Sequence, residues 1–410
     1  MTQLALAAAA LFVFSIPSEH GVSIPGVGSL SRVLGYLAIG ATLLSLYDRG
    51  LLRFRAPSLF LVAAAAFVTW SAATYFWSLA PATSVSQSVQ FVQLFVLAWM
   101  IHQLARTDRQ RDLLMQAFVL GSFVMISVAV IVYLGSARVG YRDVGFPANS
   151  FAIVSALTIP MAWGLVLRRP FPLLHLLNVS YPLFALAAVV LAASRGGLLT
   201  AIVALTVIPL TLPKLSVWLR VALLVTVAAV GVAGGAWLPR VAPDLERNLE
   251  RLGRVDEEII GGTMTGRTTI WMAGVQVFAT SPIIGVGSGG FNRAVEPLLG
   301  SARSAHNAFL SVAVTSGLVG LFLFTAMFAI ALVGVVTQRA RRFEYLVLLL
   351  ALLVSTMPAN SENNKFLWYI LASLASARPV MVDVSASVTA GWKQRASLVL
   401  DEGHPDPTAH

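Results

Sequence analysis

The sequence contains no cysteine. Disulfides, thiolate metal sites and cysteine nucleophiles are therefore excluded. Charge is scarce as well: Asp, Glu, Lys and Arg make up 11% of the 410 residues, against about 25% in a soluble domain. With 57% hydrophobic residues and a mean hydropathy of +0.81, a soluble globular protein is excluded too. The opening Met1-Thr-Gln-Leu-Ala-Leu lacks a basic leader and a cleavage site, so it reads as a first span. Acids are the rarer sign, 18 against 28 basic residues, for a net charge of +10. In a soluble protein that excess would suggest nucleic acid. In a chain this apolar it reads as the positive-inside bias of a membrane protein, and no nucleic-acid partner is expected.

What is present is a series of long apolar runs. A membrane-crossing helix needs about 20 mostly apolar residues. Runs between charged or Pro/Gly-rich breaks predict about twelve helices, at 3–17, 29–47, 58–77, 86–105, 113–135, 148–167, 173–193, 197–212, 217–238, 306–337, 344–358 and 366–380. The expected fold is an all-α polytopic integral membrane protein. Residues 1–238 hold helices one to nine, 239–305 a long loop with short helices, 306–380 the last three spans, and 381–410 a tail.

Charge alternates between successive connections. Asp48–Pro57, Arg106–Asp112, Arg168-Arg169, Lys214 with Arg220, the Arg339/Arg341/Arg342 group and the C-terminal tail place 16 basic residues on one face. The other face has 12, of which seven lie in the single loop Pro239–Ala305. Long loops report orientation poorly, so the short connections decide. They place the first face and both termini in the cytoplasm, and the long loop on the outside, periplasmic at an inner membrane.

The long loop is too polar to span. Leu245, Leu249 and Leu252 recur at helical spacing among mixed charges, as in a surface helix. Ile270, Trp271, Val275 and Phe278 form an apolar stripe that suits a helix on the outer leaflet. Gly285-Val-Gly-Ser-Gly-Gly follows as a flexible turn; with no strand before it, backbone-turn glycines are the better reading than a phosphate cradle.

His306 opens the tenth span, with Ser304 and Asn307 as candidate caps. The positive end of a helix disfavours imidazolium and leaves a ring able to accept a proton; a capping or packing role is the alternative. Arg195 lies in Ser194-Arg-Gly-Gly, where two apolar runs leave almost no hairpin. An arginine there is costly unless paired or bound to an anion. Arg267 and Arg303 flank the long loop, Arg138 and Arg142 occupy another outer loop, and Lys365 begins the last span. Guanidinium forks match phosphate oxygens, so an anionic ligand such as a lipid pyrophosphate fits, with snorkelling side chains as the alternative for Arg138 and Arg240.

At these residues the chain resembles the O-antigen ligase and polysaccharide polymerase superfamily. The resemblance rests on Ser194-Arg195-Gly196-Gly197, Gly266-Arg267-Thr-Thr-Ile-Trp271, Pro282-Ile-Ile-Gly285-Val-Gly287, Ala305-His306-Asn307-Ala-Phe-Leu310 and Gly317-Leu-Val-Gly320. Weaker echoes are Gly145-Phe-Pro-Ala-Asn149-Ser-Phe-Ala152 and Glu362-Asn-Asn-Lys365-Phe-Leu-Trp368. It implies a GT-C-like membrane glycosyltransferase that takes a glycan from undecaprenyl pyrophosphate. Arg195 and Arg267 would hold the pyrophosphate and His306 would act as base toward the acceptor hydroxyl. Arg142, Asn149, Arg303, Asn307 and Lys365 are expected to contribute to binding. Pyrophosphate leaves readily, and no Asp-x-Asp occurs, so transfer without a metal or cofactor, with inversion, is expected. Ligation to lipid A–core is preferred to polymerisation on another lipid-linked repeat. A twelve-span transporter is disfavoured, because the ionisable residues cluster at the outer boundary rather than mid-membrane.

Overall fold

Runs that are apolar on every side satisfy their backbone internally as helices and turn their side chains to lipid or to one another. A computed structural model describes residues 2–19, 21, 23–24, 28–48, 55–135, 146–212, 216, 218–219, 267–338 and 340–376. Among these residues the fold is all-α apart from a two-residue antiparallel hairpin, β1 (Ser23–Ile24) with β2 (Gly28–Ser29).

The helices are α1 (Thr2–Ser15), α2 (Leu30–Asp48), α3 (Leu59–Ala73), α4 (Pro81–Leu104), α5 (Asp108–Gly135), α6 (Ala148–Arg168) and α7 (His175–Ala192). They continue as α8 (Arg195–Leu205), α9 (Val207–Thr211), α10 (Arg267–Thr280), α11 (Phe291–Leu299), α12 (Ala308–Thr337), α13 (Arg342–Ser355) and α14 (Lys365–Ala375). A helix therefore stands at every expected span except 217–238, of which only residues 218–219 are described; the expected surface helix around Leu249 lies outside the described residues. Among the described residues, seven helical segments are long and apolar enough to cross a membrane, while Thr2–Ser15, Arg195–Thr211 and Lys365–Ala375 are apolar but shorter. The chain is an all-α polytopic membrane protein.

α6 packs against α7 and α8, α13 against α8 and α6, α14 against α4 and α12, and α1 against α2 and α5. Trp368 of α14 is fully buried, with Phe67 and Phe91 around it at ring separations of 6.3 Å. Outward positions such as Ile131, Leu183 and Phe322 are exposed and apolar, as lipid contact requires.

Two features shape the end of the bundle that carries the motif residues. The first is a break in α12. Its 30 residues correspond to about 45 Å of helix, more than the roughly 30 Å hydrocarbon core. At Gly317 the backbone turns to φ 66 and ψ −168. The segment before α11 fills the gap: Val286 N–H donates to Val314 O and Gly287 N–H to Thr315 O, each at 2.9 Å, and Leu318 N–H donates to Pro282 O at 2.8 Å. The Trp70 indole donates to Ser316 O at 2.8 Å. Groups freed by the break are thus re-bonded, as a membrane protein demands. A Cβ on Gly317 would lie 2.1 Å from Ile283 O, so no other residue fits. The glycine stretch expected to be a flexible turn is instead an ordered plug in a broken helix.

The second is a small separate core. Ala273 and Val277 of α10, Val286, Phe291 and Val295 of α11, Ala305 and Val314 pack together. α10 forms at its expected place, but the Trp271 indole donates to Ala305 O at 2.9 Å rather than serving only a membrane interface.

Candidate functional site

The starts of α6, α8, α12 and α14 meet at one end of the bundle. Their common neighbour is the connection 356–364 between α13 and α14. Ala308 N–H, at the first turn of α12, donates to Thr356 O at 2.9 Å. The Asn307 amide reaches Met357 Sδ at 3.7 Å. Asn149, in the first turn of α6, donates to Pro358 O at 2.9 Å. Its Oδ1 accepts from the Ser194 hydroxyl at 2.8 Å, and Ser194 caps α8 by accepting from Gly197 N–H at 3.1 Å. Gly196 allows this approach: a Cβ there would stand 2.6 Å from Pro358 Cγ and 2.9 Å from Asn149 Oδ1.

These bonds fix the expected site residues relative to one another. Arg195 is the first residue of α8, directly after the Ser194 cap. His306 is not the first residue of a span. It precedes the true cap, Asn307, whose side chain accepts from Leu310 N–H at 3.1 Å. Its backbone is left-handed at φ 48, a conformation that costs a non-glycine residue energy and recurs at functional sites. The Trp271–Ala305 bond ties that residue's neighbour to α10, which begins at Arg267. Partial burial, and then the nearby Arg267 charge, lower the pKa of His306 below its ordinary 6.5. The ring is therefore neutral at pH 7 and able to take a proton.

The remaining expected residues divide. Asn149 and Asn307 act as staples and caps in this frame. Lys365 pairs with Glu19 and lies 3.3 Å from Ser31 Oγ, so its charge is matched by an acid rather than free for a ligand. Arg303 is exposed, with Nε donating to Ser301 Oγ at 3.1 Å. Arg142 lies outside the described residues.

Sequence reasoning assigned no role to Glu362. Its carboxyl accepts from Ser311 Oγ at 2.6 Å, one turn into α12. Among the described residues its other oxygen is buried without a partner, as are Asn360 Oδ1 and Ser361 Oγ. Burial pushes its pKa up to about 7, against the opposing hydrogen bonds from Ser311 and its own backbone. The available signal was the polar run Asn360-Ser-Glu-Asn-Asn between two apolar segments.

The opposite end of the bundle holds a different electrostatic arrangement. Arg168 at the end of α6 pairs with Asp112 of α5 and with Glu344 of α13. Arg341 reaches Asp112 at 3.0 Å and the Tyr345 hydroxyl at 3.1 Å. Arg341, Asp112 and Glu344 are all buried. Two of the arginines counted toward orientation, the half-buried Arg168 and the buried Arg341, are thus matched by acids.

Residues 182–325 match the family model described as O-antigen ligase. That segment contains the motifs from Ser194 to Gly320 on which the resemblance rests. The chain is also 36% identical over 83 residues to the exopolysaccharide production protein ExoQ of Rhizobium meliloti (strain 1021). That alignment covers 18% of this chain and 19% of the relative, about a fifth of each. The resemblance to the O-antigen ligase and polysaccharide polymerase superfamily is borne out over this region.

Proposed function

We propose that the protein is a glycosyltransferase that moves a glycan from undecaprenyl pyrophosphate to an acceptor hydroxyl at the periplasmic face of the inner membrane. What supports this reading is that the start of α8, with Arg195, and the start of α12, just after a depressed-pKa His306 that feels the Arg267 charge, both pack on the connection 356–364, with all three residues inside the segment that matches the O-antigen ligase model. In this reading the acceptor O–H proton passes to the His306 ring as its oxygen bonds to the anomeric carbon. The bond from that carbon to the pyrophosphate oxygen breaks, and the leaving group departs with the electron pair toward the two guanidiniums. Positive charge already in place where the leaving group develops its own charge stabilises the transition state strongly, and the step inverts the anomeric centre without a metal.

Lipid A–core is the acceptor in the first reading. A second reading, chain extension on another lipid-linked repeat, is favoured by the similarity to an exopolysaccharide production protein. Purified protein in liposomes, supplied with lipid-pyrophosphate glycan and each acceptor in turn and with no ion gradient, tests both. Transfer to lipid A–core supports ligation and lengthening repeats support polymerisation. No transfer to either acceptor overturns the proposal.

A further inference from the structure

The connection 356–364 touches three of the helices that carry motif residues, yet its own acid, Glu362, has no part in the transfer chemistry just described. One carboxyl oxygen of Glu362 is bonded to Ser311 on α12 and the other is enclosed with no partner. Its carbonyl accepts from the Trp368 indole at 2.8 Å, which fixes the backbone from the α14 side. A buried carboxylate with one bare oxygen is costly, whereas a neutral carboxylic acid in the same place is far less so.

Among the described residues no charge compensates an ionised form. Lys365 of α14 is three residues away and pairs with Glu19. Around this end α8 contributes Arg195, the turn before α12 His306, α10 Arg267, and α2 Arg32, which lines a cavity with Lys365. The side-chain bond of Glu362 among the described residues is to Ser311, and α4 contributes the Gln90 amide, which donates to Asn363 O at 3.1 Å.

We propose that Glu362 is a positioning residue: carrying its proton, it seats the connection 356–364 beneath the first turn of α12 and so holds His306 in register with Arg195, and losing the proton unseats that turn. The consequence for chemistry rests on the transferase reading above; the seating itself does not. Ionisation introduces an uncompensated charge beside Ser311, and hydrating it requires the connection to part from α12 at the Ala308–Thr356 bond. The raised pKa of Glu362, about 7, puts this event near neutral pH.

The cysteine-free chain makes the test clean, because one introduced thiol is the sole reporter. Ser361→Cys places it at a fully buried position on the connection, and Thr356→Cys provides a second reporter at another buried position should the first not fold. Maleimide labelling is followed across neutral pH in the otherwise native protein and in a Glu362→Gln background. The amide keeps the oxygen that Ser311 bonds but cannot ionise. The ratio of the two labelling rates cancels the intrinsic pH dependence of the thiol. The expected ratio rises by up to about tenfold per pH unit below the Glu362 midpoint and levels off above it. A flat ratio at both reporters overturns the proposal. Transfer measured on the same samples reads the transferase reading separately: Glu362→Gln retains transfer and loses its alkaline decline, whereas Glu362→Ala loses transfer throughout. A changing label ratio with no transfer at any pH rejects the transferase and keeps the seating; a Glu362→Gln protein whose transfer still declines with the native midpoint rejects the link to His306.

Discussion

At the scale of single residues the candidate chemistry depends on a histidine that is neutral when it works. The fold lowers the His306 pKa through burial and the Arg267 charge, so the neutral ring is the favoured form. The cost of protonating it appears as pH falls through 6.5, its ordinary value, toward the depressed folded value. Transfer is therefore expected to hold at pH 6.5 and to fall only at lower pH, read from a rate profile in liposomes. His306→Ala should lower the rate by about 10²–10⁴ with unchanged expression and melting temperature, the range for removing a general base. Arg195→Lys should also fail, because a point charge does not reproduce the planar fork. Near-native transfer by the lysine variant would remove Arg195 from the leaving-group site. The residue types and their order were legible in the sequence. What was not legible was that Asn149 and Ser194 hold the frame through each other, or that Lys365 answers Glu19 across 346 positions. Such pairings follow from helix packing, and local spacing carries no trace of them.

At the scale of elements the informative piece is α12. Composition predicted one helix from 306, and the apolar run is indeed continuous to Thr337. The break at Gly317 was hidden because its cause lies elsewhere, in the Pro282–Gly287 segment that enters the gap and bonds both sides of it. Alone, each half looked ordinary: a helix with a glycine, and a glycine-rich turn. Together they make a joint in which the ψ of −168 at φ 66 belongs to a region that only glycine occupies readily. Gly317→Ala is expected to cost about 1–3 kcal/mol for the backbone alone, and more because the new Cβ would meet Ile283 O. A lowered melting temperature in detergent, with the α10–α11 segment cut by protease before the rest of the bundle, is the expected result. A native melting curve would mean that the plug is dispensable.

At the scale of the whole molecule the two ends of the bundle handle charge in opposite ways. One carries Arg195, Arg267 and His306 and, among the described residues, one buried acid, Glu362. The other sets Arg168 and Arg341 against the buried acids Asp112 and Glu344, with exposed Asp108 at the edge, joining α5, α6 and α13. A buried network of this kind adds little over a well-packed apolar one, but removing one member leaves the others uncompensated. Arg168→Leu strands Glu344 and weakens the hold on Asp112, and is expected to cost about 3–5 kcal/mol. The loss should appear as thermal instability in detergent, while the surviving folded fraction keeps its transfer rate per molecule. An equal loss from Arg195→Leu would erase the distinction between a structural end and a working one. The same division predicts orientation. A cysteine at Ser301, near the His306 end, should react with an impermeant maleimide in cells whose outer membrane is permeabilised. One at exposed Thr107, beside the Arg168 cluster, should react only once the inner membrane is opened. The reverse pattern would invert the positive-inside assignment, and with it the side on which any lipid-linked donor could be used.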